Sequence, residues 1–203
     1  MTALMRVIAG TYRSRILRSL KGLALRPTSD RLRETLFNVL APNISGARFA
    51  DLFAGTGAIG IEALSRGAAK VVFIENHAPA AALIRKNMDS LGIRSGFTVL
   101  PADVLRGLEI LAAKAKGAES KFDLIFLDPP YAAAADYERV LRFLGAANLL
   151  APGGMVIAEH RRKFALSEKA EALRRFRVLK QGDEALSFYR RDGAAAEESD
   201  SAE

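Results

Sequence analysis

The chain of 203 residues contains no cysteine. This absence excludes disulfide bonds and thiolate metal ligands, and it fits a reducing compartment. Long apolar runs are also absent: near the N-terminus only residues 5–9 are mostly apolar, too few for a signal peptide or a transmembrane helix. The two histidines, His77 and His160, lack metal-ligand spacing. We therefore expect a soluble cytoplasmic protein without a bound metal or a membrane partner.

Positive charge is what the chain has in excess, with a formal net charge of +7. Residues 1–40 contain eight Lys and Arg against two acids, whereas the last twelve residues, "DGAAAEESDSAE", contain five acids and no base. A basic body predicts a polyanionic partner, with a merely solvated basic surface as the alternative. Residues 192–203 lack large apolar side chains, so we expect an acidic disordered tail.

Apolar segments of strand length alternate with helical segments from residue 46 onwards. Continuously apolar strands separated by helices predict a mostly parallel sheet covered on both faces, that is, a doubly wound α/β Rossmann-like domain over residues 46–191. A helix is expected near residues 167–174. Two β-rich segments, 175–183 and 184–192, then predict a terminal hairpin with one antiparallel strand.

The first 45 residues have a different pattern. Two β-like runs around Gly10 predict a small basic hairpin, and residues 28–40 predict an amphipathic helix with Thr28 or Ser29 as its N-cap. The apolar face of this helix contains Leu32, Leu36, Phe37 and Leu40. We expect this basic segment to contact a nucleic acid.

The stretch "DLFAGTGAIG" follows the first predicted strand of the α/β domain. Gly55, Gly57 and Gly60 fit G-x-G-x-x-G, and Glu75 ends the next strand, where its carboxylate could accept hydrogen bonds from ribose hydroxyls. The pattern alone leaves open a dinucleotide, a nucleoside cofactor or a purely structural turn. Asp51 before the loop favours a cationic ligand, and the chain is short for a second nucleotide-binding half. Both points favour S-adenosylmethionine over NAD.

The tetrapeptide Asp128-Pro129-Pro130-Tyr131 follows the apolar run "FDLIFL". Two prolines fix the backbone and remove two N–H donors, which leaves the Asp128 carboxylate and the Pro129 carbonyl as acceptors. Such a pair suits a planar amino group, and the ring of Tyr131 can stack on a planar base. The pattern predicts a nucleobase amine, flipped out of its stack, that Asp128 positions and deprotonates. A proline-stiffened surface turn is the alternative.

Two segments together resemble known enzymes. "DLFAGTGAIGIEALSRGA" followed by "DPPY" resembles the class I S-adenosylmethionine-dependent methyltransferases that modify amino groups. "RVIAGTYRSRILRSLKGLALRPTSDRLRETLFNVL" resembles, more specifically, the bacterial RsmD-like family, which methylates N2 of a guanine in small-subunit ribosomal RNA. The similarity extends over about residues 5–191, and the acidic tail lies outside it.

The resemblance implies S-adenosylmethionine as cofactor and small-subunit ribosomal RNA, naked or within an assembled particle, as partner. We expect the protein to be a monomer. Catalysis is implied at Asp128, Pro129, Pro130 and Tyr131. The cofactor-binding residues are then Asp51, Phe53, Gly55, Gly57, Glu75, Asp103 and Asp128. The candidate RNA contacts are Arg6, Arg13, Arg15, Arg18, Arg26 and Arg33.

Several other functions remain open at the level of the residues. Physical reasoning does not separate guanine N2 from adenine N6 or cytosine N4, and a protein glutamine is a further candidate, although that family usually has Asn where Asp128 stands. An RNA-binding module with an inactive cofactor site and a nicotinamide oxidoreductase are rivals from other classes. The intact glycine loop and the DPPY sequence argue against an inactive site.

Overall fold

A computed structural model describes residues 5–19, 29–115, 117–130 and 134–193. Two predicted site residues, Arg26 and Tyr131, lie outside these ranges, as does the tail after Gly193. The helices are α1 (Asp30–Ile44), α2 (Ala58–Ser65), α3 (Ala78–Leu91), α4 (Val104–Lys114) and α5 (Ala134–Ala146), with one 3₁₀ turn at Ala118–Ser120. Within the described ranges, none of these helices combines the length and the apolar character that crossing a bilayer requires.

One sheet of eight strands forms the centre of the described molecule. The strands are β1 (Arg48–Leu52), β2 (Lys70–Ile74), β3 (Phe97–Leu100), β4 (Phe122–Leu127), β5 (Leu150–Arg161), β6 (Lys169–Ala170), β7 (Leu173–Gln181) and β8 (Glu184–Arg191). Their order is β3-β2-β1-β4-β5-β8-β7-β6, and β1 to β5 are parallel. The predicted fold class is confirmed. The chain reverses its direction of winding between β1 and β4, where open α/β sheets bind ligands.

Two apolar layers enclose the sheet. The first face packs under α1, α2 and α3, with Phe37, Phe49 and Phe126 among its buried side chains. The second face packs under α4 and α5. Buried Val, Ile, Leu and Phe side chains on both faces of the strands explain why the sequence shows continuous apolar runs rather than alternation.

The N-terminal segment forms less sheet than the sequence predicts. Between residues 5 and 19 a single antiparallel bridge joins Arg6 and Ile16, in place of a regular hairpin. Its turn instead bonds to α2, where the Glu62 carboxylate accepts hydrogen bonds from the Ile8 and Ala9 backbone N–H groups. The helix that follows agrees with its prediction: Ser29 caps α1 and the four predicted apolar residues are buried.

The C-terminal region corrects two expectations and confirms a third. Residues 167–174 do not form a helix, because β6 and the start of β7 occupy them and Glu171 turns the chain with a φ of 53°. The predicted terminal hairpin is confirmed: β7 and β8 pair antiparallel, β8 runs antiparallel to β5, and the short β6 adds to the outer side of β7. Asp192 belongs to the ordered structure, not to a disordered tail, since its carboxylate lies 2.7 Å from Nε of Arg174.

Candidate functional site

The carboxyl ends of β1, β2 and β4 bring together residues that are far apart in sequence. Leu52 pairs with Ile74 on one side and with Leu127 on the other, so the glycine loop, Glu75 and Asp128 follow three adjacent strand ends. The sequence-based proposal required this arrangement. The chain thus places a glycine loop and two carboxylates along one edge of the sheet.

Glu75 organises the glycine loop. Its Oε2 accepts a hydrogen bond of 2.6 Å from the Gly55 backbone N–H, and its Oε1 accepts one of 2.8 Å from the His77 N–H. The side chain is 8% exposed. Each carboxylate oxygen keeps a further lone pair, so the fixed carboxylate can also accept hydrogen bonds from a ligand.

The glycines of the loop serve its own geometry. Gly57 has a φ of 79°, a left-handed conformation that favours glycine, and it forms the N-cap of α2. A Cβ atom at Gly60 would lie 2.2 Å from Cε1 of Phe73, so helix packing on the strand requires this glycine. Phe53 also has a positive φ, 61°, where the chain turns out of β1. The loop is a tight, backbone-lined turn.

Asp51 is buried, at 2% exposure, and its Oδ2 accepts a hydrogen bond of 2.9 Å from the Gly60 N–H. Burial raises the pKa of this carboxyl well above its ordinary value, and the nearby Glu75 charge adds to the effect. Asp51 therefore holds the start of α2 against β1. Its direct contact with a cofactor stays a prediction.

Asp103 is exposed and caps α4, where its Oδ1 accepts a hydrogen bond of 3.0 Å from the Leu105 N–H. It follows β3, so it lies at the same edge of the sheet as Glu75. The cap fixes the position of the carboxylate, and a contact with the adenine stays a prediction.

Asp128 is half-buried at the end of β4, with Pro129 buried beside it and Pro130 exposed. Burial raises the pKa of the Asp128 carboxyl to about 7, and the negative charges of Glu184 and Asp51 also raise it. A carboxyl poised near neutral pH can exchange a proton with a bound base. Within the described ranges, no group of three or more His, Asp or Glu side chains is arranged to hold a metal ion.

The predicted RNA-contacting arginines divide into two groups. Arg6, Arg13, Arg15 and Arg18 are exposed. Arg33 is 1% exposed, and its Nη2 donates hydrogen bonds to the Arg6 carbonyl and to Oδ1 of Asp30. The prediction that Arg33 contacts RNA is therefore wrong, because its guanidinium joins α1 to the N-terminal segment.

The sequence analysis missed a buried connection centred on Asn87, which is 0% exposed on α3. Its Oδ1 accepts a hydrogen bond from the Arg18 N–H, and its Nδ2 donates to the Arg18 carbonyl and to the Thr56 carbonyl. Thr56 lies between two glycines of the loop. Asn87 thus joins the basic N-terminal segment directly to the glycine loop. A polar residue on an otherwise apolar helix face was the available signal.

Glu62 is a second missed residue, 0% exposed on α2. Its carboxylate binds the Ile8 and Ala9 N–H groups and also Nε of Arg66, at 2.7 Å. Gly10 lies so close to α2 that a Cβ atom there would lie 1.9 Å from the Ser65 carbonyl oxygen. The N-terminal segment is therefore built onto the helix that the glycine loop begins.

The described residues fit S-adenosylmethionine. A turn lined by backbone can approach the amino acid portion, and a fixed carboxylate after β2 suits the ribose hydroxyls. The carboxylate after β4 follows an adjacent strand end. Fold and site together define a class I S-adenosylmethionine-dependent methyltransferase.

A family model described as "Conserved hypothetical protein 95" matches residues 5–190, so the chain belongs to this family, the RsmD family that its sequence resembles. YlbH of Bacillus subtilis is 34% identical over 189 residues, 93% of this chain and 100% of that protein. Ribosomal RNA small subunit methyltransferase D of Haemophilus influenzae is 38% identical over 76% of this chain and 77% of its own length. The solved structure of yhhF from Escherichia coli gives a TM-score of 0.79 at 31% identity, over 93% of this chain and 98% of that chain.

Proposed function

We propose that this protein transfers the methyl group of S-adenosylmethionine to the N2 amine of a guanine in small-subunit ribosomal RNA. The observation that carries the proposal is Asp128, an acceptor of raised pKa beside the glycine loop. The Haemophilus influenzae relative supports ribosomal RNA as the substrate. The choice of guanine N2 follows from the family resemblance, and the substrate implies a cytoplasmic location.

When bound, the cofactor supplies an electrophilic methyl group on a sulfonium. The amine of guanine is a weak nucleophile, because its lone pair is delocalised into the ring. Asp128, together with the Pro129 carbonyl, would accept hydrogen bonds from the amine and orient its nitrogen. As the nitrogen takes the methyl group, the methyl–sulfur bond would break and leave a neutral thioether. The methylated amine would be cationic, and its proton would pass to Asp128 directly or through water. Positioning of this kind lowers a barrier by several kcal/mol.

The direct test uses small ribosomal subunits from cells that lack the gene. Tritiated S-adenosylmethionine, subunits and the protein are incubated, and the RNA is digested to nucleosides for mass spectrometry. We expect the label in N2-methylguanosine. Label in N6-methyladenosine, in N4-methylcytidine or in protein would contradict the substrate assignment. A parallel incubation with naked RNA shows whether the assembled particle is required.

The basic N-terminal segment provides a second prediction. Arg13, Arg15 and Arg18 are exposed on residues 5–19, which we propose as part of the RNA-contacting region before the methyltransferase domain. Replacing all three by Gln should weaken RNA binding and reduce the slope of log affinity against log salt by about 2 to 3, since each phosphate contact contributes roughly 0.7 to 0.9. S-adenosylhomocysteine affinity, measured by calorimetry, should not change. An unchanged salt slope would show that these arginines do not contact phosphates.

A further inference from the structure

The C-terminal hairpin, formed by β7 and β8, has a surface that the site does not use. In the described part of the chain three large apolar side chains are conspicuously exposed, and two of them, Phe176 at 40% and Val178 at 37%, lie on β7. Residues 173–191 contain six Lys and Arg, four in β7 and two at the end of β8, against two acids. Exposed apolar side chains among unbalanced positive charges indicate an interaction surface rather than an ordinary solvated strand.

Four residues form what we call the arginine–phenylalanine patch: Arg174, Phe176, Arg177 and Arg190. The Phe176 ring lies beneath Arg190, whose Cζ is 3.9 Å from the ring centroid. Arg177 has its Cζ 5.9 Å from the ring centroid of Phe188, the buried aromatic residue next to Phe176. These contacts hold two guanidinium groups in place over aromatic rings. The patch is therefore ordered before any partner binds.

The charges of the patch are only partly balanced. Arg174 pairs with Asp192 at 2.7 Å. Among the residues that the structure describes, neither Arg177 nor Arg190 has a carboxylate within salt-bridge distance. Arg174 and Arg190 also lie directly opposite one another across the two strands, an arrangement of like charges that destabilises a sheet. An anionic partner would relieve this repulsion.

Protection of an exposed strand edge accounts for part of this surface. β6 pairs with only two residues of β7, and charged residues on an edge strand oppose pairing with other chains. Edge protection does not require an exposed phenylalanine. The register of β7 against β8 shifts between Arg175 and Arg177, so Phe176 is the extra residue of a bulge. Bulges re-aim a side chain, and this one places the ring beside Arg190.

The patch lies on the sheet face that also holds the N-terminal segment. Phe188, against which Phe176 packs, belongs to the same apolar layer as Val7 and Leu17. β8 begins with Glu184, whose charge acts on Asp128, and Arg190 lies six residues further along, about 20 Å away. A strand of RNA whose target base enters at Asp128 can extend over this distance.

We infer that the arginine–phenylalanine patch binds an unpaired stretch of the substrate RNA outside the target nucleotide, with Arg177 and Arg190 on phosphates and Phe176 on a base. Aromatic side chains and arginine planes are the usual stacking surfaces for unpaired bases. RNA is favoured over an acidic protein surface because the patch combines an aromatic ring, on which a base can stack, with guanidinium groups that can bind phosphates. The inference rests on the proposed RNA substrate but not on which amine is methylated.

The test compares two double variants that each remove two positive charges. Arg177→Gln/Arg190→Gln alters the patch. The control, Arg106→Gln/Arg142→Gln, alters exposed residues of α4 and α5 on the opposite face of the sheet. RNA affinity is measured against salt by fluorescence anisotropy with a naked small-subunit RNA fragment. The patch variant should reduce the salt slope by about 1.4 relative to wild type, whereas the control should retain it. Phe176→Ala should weaken binding severalfold without changing the slope.

Further measurements separate this inference from the proposed function. S-adenosylhomocysteine affinity and the single-turnover rate at saturating RNA should be unchanged in the patch variant, while its KM for RNA rises. These binding experiments are valid whichever nucleoside becomes labelled. Equal salt slopes for the patch and control variants would overturn the inference. So would a patch variant that loses activity on assembled subunits but binds naked RNA normally, since the surface would then contact a ribosomal protein.

Discussion

Replacing Asp128 by Ala is expected to reduce methyl transfer by on the order of 10²-fold or more, while S-adenosylhomocysteine affinity stays close to that of the wild type. Asp128 ends β4 beside the glycine loop, and its carboxylate is an acceptor that can hold the amine in line. Loss of one positioning contact has this magnitude in enzymes. Single-turnover transfer to the ribosomal substrate and calorimetry with S-adenosylhomocysteine measure the two quantities.

Asp128→Asn is the matched control, since it keeps the volume and one acceptor oxygen but cannot receive a proton. If the carboxylate only orients the amine, Asn should restore much of the rate. If it also takes the proton, Asn should remain slow, as Ala does. Full activity of the Ala variant would overturn the mechanism, whereas a large loss of cofactor affinity would assign Asp128 to cofactor binding instead.

The same carboxylate sets the expected pH dependence. The pKa of Asp128 is raised to about 7 by burial and by the charges of Glu184 and Asp51, and the ionised form is the better acceptor. The single-turnover rate should therefore rise between about pH 6 and pH 8. Because the folded-state pKa lies above the unfolded value of roughly 3.9, ionisation destabilises the fold as pH rises from about 4 to 7. The Asn variant should then gain stability relative to wild type over that interval, as measured by urea unfolding.

The parallel sheet, its order around the site and the helix α1 could be predicted from local patterns. Apolar runs of strand length between helices specify a sheet covered on both faces, and Ser29 precedes a helix with one apolar face. The meeting of these strand ends at one edge of the sheet then follows from topology alone, because parallel strands direct their carboxyl ends to the same side. For this reason the order of residues along the chain was enough to place Glu75 and Asp128 at the same edge of the sheet.

The errors came from residues whose positions depend on distant partners. Residues 167–174 are rich in Ala, Glu and Lys, which favour a helix locally, but burial of Leu173 in the second apolar layer gives strands instead. Arg33 resembles a surface arginine, yet it is buried beside Leu32 in the first turn of α1 and bonds to a carbonyl of the N-terminal segment. Asn87 likewise derives its role from Arg18, which is 69 residues away in the sequence.

Replacing Glu75 by Ala is expected to weaken S-adenosylhomocysteine binding by about 10- to 100-fold. The carboxylate receives hydrogen bonds from the Gly55 and His77 N–H groups and has lone pairs left for ribose hydroxyls. Hydrogen bonds to a charged group contribute about 1.5–3 kcal/mol each. The variant also removes the carboxylate that holds the glycine loop through the Gly55 N–H. Calorimetry at constant pH measures the loss, with Asp103→Ala as a comparison that removes a carboxylate from a helix cap.

A cofactor analogue without the 2′ and 3′ hydroxyls separates the two effects of Glu75. If the carboxylate binds the ribose, wild type should bind this analogue much more weakly than S-adenosylhomocysteine, and Glu75→Ala should show a much smaller difference between the two ligands. If Glu75 only shapes the loop, the variant should lose affinity for both ligands by the same factor. Unchanged affinity for S-adenosylhomocysteine in Glu75→Ala would remove this residue from the cofactor site, because neither the loop nor the ribose would then depend on its carboxylate.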